Sequence, residues 1–258
     1  KKCIENIKNV PNNCIPVVLS ATGTFSPIHR MHIINMDIAK YGIESLSNNK
    51  YYVIGGFLSP THDSYCKGKL GIKSYIKGIH RCNIIRNVLK DNKYWYCDDW
   101  HTKQKYMQSI NAEVGNIENM INFVFKKDDM YKRIKIFYVC GSDLAVKCGF
   151  DYGFGKYGVS IIQRNGDLIN KNSGYHFYEM PVYVIDVPNK YKKWQNASST
   201  DLRKLISNNK SIKDITFDEV ESYMIQHNIL GAKTLKNDNN SDDDSNEDNN
   251  SDDNKSDE

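Results

Sequence analysis

Two histidines three residues apart, His29 and His32, follow a glycine turn in the run Ala21-Thr22-Gly23-Thr24-Phe25-Ser26-Pro27-Ile28-His29-Arg30-Met31-His32. Imidazoles at that spacing share one face of a first helical turn, where both can donate hydrogen bonds to a single anion. Upstream, Val17-Val18-Leu19-Ser20 reads as a buried parallel strand. Downstream, Ile33, Ile34, Met36, Ile38 and Ala39 supply the apolar side of a helix. Strand, turn and helix start together aim backbone N–H groups and a helix N-terminus at one point, which suits a phosphate. Gly23 lets the backbone approach a ligand closely, and Pro27 fixes φ near the helix start. Zinc is the weaker reading, because metal-binding His pairs on helices favour i,i+4 and no nearby Cys or acid completes a set.

A second phosphate-suited helix start lies at Ala197-Ser198-Ser199-Thr200-Asp201-Leu202-Arg203-Lys204-Leu205. A Ser or Thr caps the helix, and Arg203, one turn in, can reach the same oxygens. Between the two motifs the chain alternates strand and helix. Strands are expected at about 16–22, 51–58, 94–97, 134–140, 159–163 and 182–187. Helices are expected at about 30–46, 74–91, 102–127 (with a break at Gly115), after Ser198, and at 216–228. Residues 61–70 read as a loop. This order predicts a Rossmann-like three-layer αβα fold with a mostly parallel sheet. Gly141, at the end of the strand 134–140, allows close approach to a ligand, and Asp143 can accept from ribose hydroxyls or cap the next helix. Trp100 follows a short strand among polar neighbours, including His101, which argues for a rim position and an aromatic platform for a flat heterocycle. Gly153-Phe154-Gly155-Lys156-Tyr157-Gly158 matches a dinucleotide fingerprint in letters only: it precedes a strand instead of following one.

The 258 residues are 40% hydrophobic, enough for one large α/β domain. We expect a loose leader at 1–14, a single domain at 15–235 and a disordered acidic tail at 236–258. Residues 237–258 hold eight Asp and two Glu against one Lys, a net −9, so the other 236 residues carry +13. Those cations are scattered, without a basic stripe interleaved with aromatics, and favour small polyanionic nucleotides over nucleic acid. No run of 18 apolar residues is present, so no membrane span is expected. Seven cysteines without a C-x-x-C spacing fit reduced thiols in the cytoplasm or nucleus.

Gly23-Thr24-Phe25-Ser26-Pro27-Ile28-His29-Arg30-Met31-His32 resembles the G-x-F-x-P-x-[HT]-x-x-H signature of the nucleotidyltransferase superfamily. It is most similar to nicotinamide/nicotinate mononucleotide adenylyltransferases, and Met31 resembles the eukaryotic branch. Three further segments resemble the same family in order: Ser59-Pro60 through Lys67, Cys140-Gly141-Ser142-Asp143-Leu144, and Ala197 through Arg203. The resemblance spans about 16–230. It implies adenylyl transfer from ATP to a pyridine mononucleotide, with Mg²⁺ carried by the ATP phosphates and no metal cage in the protein. It implies His32, His29, Lys67 and Arg203 as the catalytic set. Gly23, Thr24, Phe25, Tyr65, Trp100, Gly141, Asp143, Arg164, Ser198, Ser199 and Thr200 would bind the nucleotides, Tyr65 beside the mononucleotide and Trp100 stacked on the pyridine ring. A His-Arg pair like His80-Arg81 occurs in the family, and His80 is expected to be structural or to support the site from behind. Relatives carry a second stacking Trp where this chain has only Phe150, Tyr152, Phe154 and Tyr157. Asp201 stands where relatives often have Lys. Other adenylyl- or cytidylyltransferases, or a non-catalytic nucleotide-binding protein, remain as alternatives, and homo-oligomerisation stays open.

Overall fold

The computed structural model describes residues 2–125, 133–163, 169 and 179–233. Arg164 and the acidic tail 236–258 lie outside the described residues. Six strands form one sheet: β1 (Ile15–Gly23), β2 (Tyr51–Pro60), β3 (Trp95–Cys97), β4 (Lys135–Gly141), β5 (Gly158–Gln163) and β6 (Val182–Asp186). Their order is β3-β2-β1-β4-β5-β6 and every pairing is parallel. The order reverses between β1 and β4, so the crevice beyond their carboxyl ends is where ligands bind in such sheets.

Alternation along the strands builds two cores. Val17, Leu19, Phe137 and Val139 face the layer of α2 (Arg30–Leu46), α4 (Gly78–Val88), α7 (Ser199–Ser207) and α8 (Asp218–Gln226). Val18, Ile136, Tyr138 and Cys140 face the layer of α1 (Lys2–Ile7), α5 (Ile110–Phe125) and α6 (Ser142–Cys148). This is the three-layer αβα arrangement that the strand–helix order implies. No helix among the described residues is long and apolar enough to cross a membrane.

Four expectations need correction. Residues 61–70 are not an open loop: α3 spans Asp63–Leu70, started by His62, whose ring accepts from Ser64 N–H. The helix expected at 102–127 begins only at Ile110, after a short 3₁₀ turn at His101–Lys103, and continues through Gly115 without a break. The leader is not loose. The Asn6 amide of α1 donates to the carbonyls of Ile54 and Lys93, and Ile7, Val10 and Cys14 are buried. Residues 74–91 form a shorter helix than expected, Gly78–Val88. Gly153 and Gly155 sit at positive φ in a tight turn before β5, with no helix after them, as the rejection of a dinucleotide fingerprint requires.

The α4–α8 contact carries a titratable clasp. His80 Nδ1 lies 3.2 Å from the Tyr223 hydroxyl, the Asn83 amide donates to that hydroxyl, and the His227 ring is 4.2 Å from the Tyr223 ring. Burial, His227 and Lys77 lower the His80 pKa from its ordinary value. The unfolded chain then takes up this proton more readily. The stability is present above the unfolded pKa of about 6.5 and is lost as pH falls toward the folded one. Thermal melts should show a steeper loss of Tm below about pH 6.5 for the native chain than for His80→Gln; parallel curves would remove His80 as the cause.

Candidate active site

At the end of β1 the chain turns sharply. Phe25 adopts φ 43°, the left-handed region that a non-glycine residue seldom occupies, and a cis Ser26–Pro27 bond follows. The Phe25 ring folds back over Gly23. A Cβ at Gly23 would meet that ring at 2.9 Å, so only glycine fits beneath it. The other side of Phe25 meets the His32 ring edge-on at 4.8 Å. His29 is the N-cap of α2 and His32 lies in its first turn, their rings stacked at 3.6 Å between centroids. His29 N–H donates to His32 Nδ1 at 3.1 Å. A ring nitrogen that accepts cannot carry the proton, so neutral His32 presents Nε2–H as a donor.

The second helix start is joined to this turn. Ser199 Oγ donates to the Pro27 carbonyl at 2.8 Å, and Arg203 Nη1 donates to the Ser26 carbonyl at 2.9 Å. The N-termini of α2 and α7 therefore converge, with their positive dipole ends in one place. Burial lowers the Arg203 pKa from its ordinary value, yet a guanidinium stays charged. The hydroxyls of Ser198, Ser199 and Thr200, residues expected to bind the nucleotides, have partners within the chain. Ser198 Oγ caps α7 by accepting from Asp201 N–H and donating to the Asp201 carboxylate. Ser199 makes the joint to Pro27, and Thr200 Oγ1 accepts from Arg203. Asp201 thus serves the cap.

The remaining expected residues among those described lie around the same carboxyl edge of the sheet. Gly141 ends β4 and N-caps α6, while Asp143 is exposed in the first turn of α6. Tyr65 and Lys67 lie on α3; Lys67 is exposed, its ammonium over the Tyr75 ring at 5.2 Å. Half-buried Trp100 opens the 3₁₀ turn after β3 and lines a groove of about 580 Å³ with Gln108, Asn111, Gly115 and Tyr157. Phe150, Phe154 and Tyr157 pack on one another and on Tyr138, while Tyr152 is exposed. His101, one of the polar neighbours that argued for a rim position of Trp100, is itself buried against Glu113.

One central residue escaped sequence reasoning. Arg81, fully buried, donates to the carbonyls of Thr24, Thr61 and Ile76 and to the Asp63 carboxylate, which also accepts from Gly78 N–H. It ties the turn after β1 to the turn after β2. Thr22 Oγ1 and the Tyr138 hydroxyl, 2.7 Å apart, join β1 to β4 across the reversal in strand order.

Residues 20–205 match the cytidylyltransferase-like family. The chain belongs to that family. It is 27% identical over 228 residues to the nicotinamide/nicotinic acid mononucleotide adenylyltransferase of Arabidopsis thaliana, covering 83% of this chain and 89% of the relative. It is 25% identical over 263 residues to the nicotinamide/nicotinic acid mononucleotide adenylyltransferase 1 of Bos taurus, covering 84% and 90%. The nicotinic acid mononucleotide adenylyltransferase of Plasmodium falciparum, solved in complex with NaAD, shares the fold. Its TM-score is 0.59 at 16% identity, over 84% of this chain and 98% of that one.

Arg81→Met should destabilise the chain by about 3 kcal/mol in urea unfolding, because buried carbonyls and Asp63 lose their donor. Arg81→Lys should recover less than half, since an ammonium cannot reproduce the planar fork. A loss below about 1 kcal/mol for Arg81→Met would show that the carbonyls find other donors.

Proposed function

We propose that this chain transfers an adenylyl group from ATP to nicotinamide or nicotinate mononucleotide, forming NAD or deamido-NAD and pyrophosphate. The observation that carries the reading is the union of two helix N-termini, one bearing His29 and His32 and the other Arg203, through the Ser199–Pro27 and Arg203–Ser26 bonds. The likeness to mononucleotide adenylyltransferases over more than four-fifths of the chain supplies the substrate class.

In this reaction the 5′-phosphate oxygen of the mononucleotide attacks the α-phosphorus. A new P–O bond forms as the bond to the bridging oxygen breaks, and pyrophosphate leaves with that electron pair. No protein nucleophile is needed; positioning and charge stabilisation suffice. His32 donates from Nε2–H to the transferring group, its Nδ1 being taken by His29 N–H, and stacked His29 holds the ring. Arg203 spends one N–H on Ser26 and one on Thr200 and offers its other N–H groups to phosphate oxygens. Lys67 at the end of α3 reaches toward the phosphates as a mobile point charge. Gly23, Thr24 and Phe25 shape the turn under the triphosphate. Gly141, Asp143 and Arg164 serve the adenosine, while Tyr65 and Trp100 flank the mononucleotide. Ser198, Ser199 and Thr200 build the helix tip. Among the described residues no three His, Cys, Asp or Glu side chains cluster as a metal cage, so Mg²⁺ fits as a passenger of the ATP phosphates.

Pyrophosphate release should require ATP together with either pyridine mononucleotide, and CTP should not replace ATP. Turnover with CTP or phosphopantetheine alone would move the chain to another branch of the family. His32→Ala should lower kcat at least about tenfold with an unchanged melting curve. Near-normal turnover in that folded variant would defeat its role. Trp100→Ala should chiefly raise the KM of the mononucleotide, by about three- to tenfold for a lost stacking contact; an unchanged KM would remove Trp100 from the pocket.

A further inference from the structure

Trp100 stands on a turn of three residues, too short to hold an aromatic platform by itself. Its own backbone is pinned from both sides: Trp100 N–H donates to Asp98 Oδ1 at 3.2 Å, and the Gln104 amide donates to the Trp100 carbonyl at 2.9 Å. The next side chain points inward. His101 is 2% exposed, and its Nδ1 lies 2.9 Å from Oε2 of Glu113, which is completely buried in the first turn of α5. His101 Nε2 accepts the backbone N–H of Gln108 at 3.0 Å. Since Nε2 accepts, Nδ1 holds the ring proton and donates it to the Glu113 carboxylate.

One imidazole therefore bridges the Trp100 turn to the segment leading into α5 and to the first turn of α5. These are the elements that bound the groove: Trp100 on one side, Gln108, Asn111, Ala112 and Gly115 on the other. Burial pushes the Glu113 carboxyl pKa up, and the His101 bond opposes the shift. A buried polar pair stabilises a fold poorly compared with apolar residues of the same volume. Its use at this spot is better explained by the geometry it fixes.

We infer that His101 and Glu113 are positioning residues for the mononucleotide, setting the distance between Trp100 and the α5 wall so that the pyridine ring finds its platform. The inference rests on the adenylyl transfer proposed above. Neither residue touches substrate; both act through Trp100.

Steady-state kinetics of the full chain test it with ATP and mononucleotide varied separately. His101→Ala should raise the KM of the mononucleotide about tenfold, equivalent to about 1.4 kcal/mol, while kcat and the KM of ATP move by less than about threefold. Added to Trp100→Ala, it should change that KM by less than about twofold, because its effect runs through the missing ring. Glu113→Gln, whose carbonyl oxygen still accepts from Nδ1–H, should rescue native KM, whereas Glu113→Leu should match His101→Ala. If His101→Ala does not fold, His101→Leu, which keeps volume but neither donates to Glu113 nor accepts from Gln108, runs the same cycle. Full additivity with Trp100→Ala, or an equal rise in both KM values, would overturn the inference. Absence of pyrophosphate release by the native chain would overturn the underlying reaction and the inference together. Native activity with a raised KM in Trp100→Ala and none in His101→Ala would overturn the inference alone.

Discussion

The hydrogen bonds from Ser199 and Arg203 to the carbonyls of Pro27 and Ser26 join segments more than 170 residues apart. They are few, but the proposed anion site depends on them. A single helix N-terminus is a weak anion site in water, worth well under the cost of fixing a triphosphate. Two such ends held together, with an imidazole donor on one and a guanidinium on the other, sum their fields in one partly desolvated place. Thr216 adds a third stitch, donating from Oγ1 to the Ile28 carbonyl, so the segment before α8 also braces the start of α2.

Beneath that site lies a second constraint. Loops at the carboxyl edge of a parallel sheet carry carbonyls that no strand neighbour satisfies. Arg81 answers three of them at once and takes Asp63 as its counter-charge. The buried charge is tolerable because four of the five guanidinium N–H groups meet acceptors, one of them a carboxylate. The same economy recurs beside Trp100, where Ser59 donates to Asp98 and His101 to Glu113. Buried polar groups at this edge thus hold loops in register, and the loops present the site.

What the sequence made legible follows from which forces are local. β1, β4 and β5 are runs of β-branched and aromatic residues between breakers, and the stripe from Ile33 to Ile43 could only be a helix against a sheet. The junction of the α7 start with the turn before α2 agrees with the motif order in a doubly wound sheet. α3 was missed because its pattern is weakly apolar and its start depends on His62 and on Asp63 reaching Gly78 across 15 positions. The late start of α5 reflects His101 turning inward to Glu113, a bond that no periodicity announces. Arg81 looked like an ordinary helix cation because its partners are backbone carbonyls 20 and 57 residues away. The bond of Ser199 to Pro27 could not be read from sequence because the two lie 172 positions apart. Tyr157 could not be given a direction from sequence: its ring joins the Phe150–Phe154 cluster, yet its hydroxyl donates to Glu118 at the groove.

The central claim is that the two joined helix tips grip one triphosphate. A crystal structure of the chain with a non-hydrolysable ATP analogue tests it most directly. The account predicts phosphate oxygens within about 3 Å of both His32 Nε2 and the Arg203 guanidinium, in one cleft above β1 and β4. A triphosphate bound with either group turned away, or lodged elsewhere on the molecule, would contradict it.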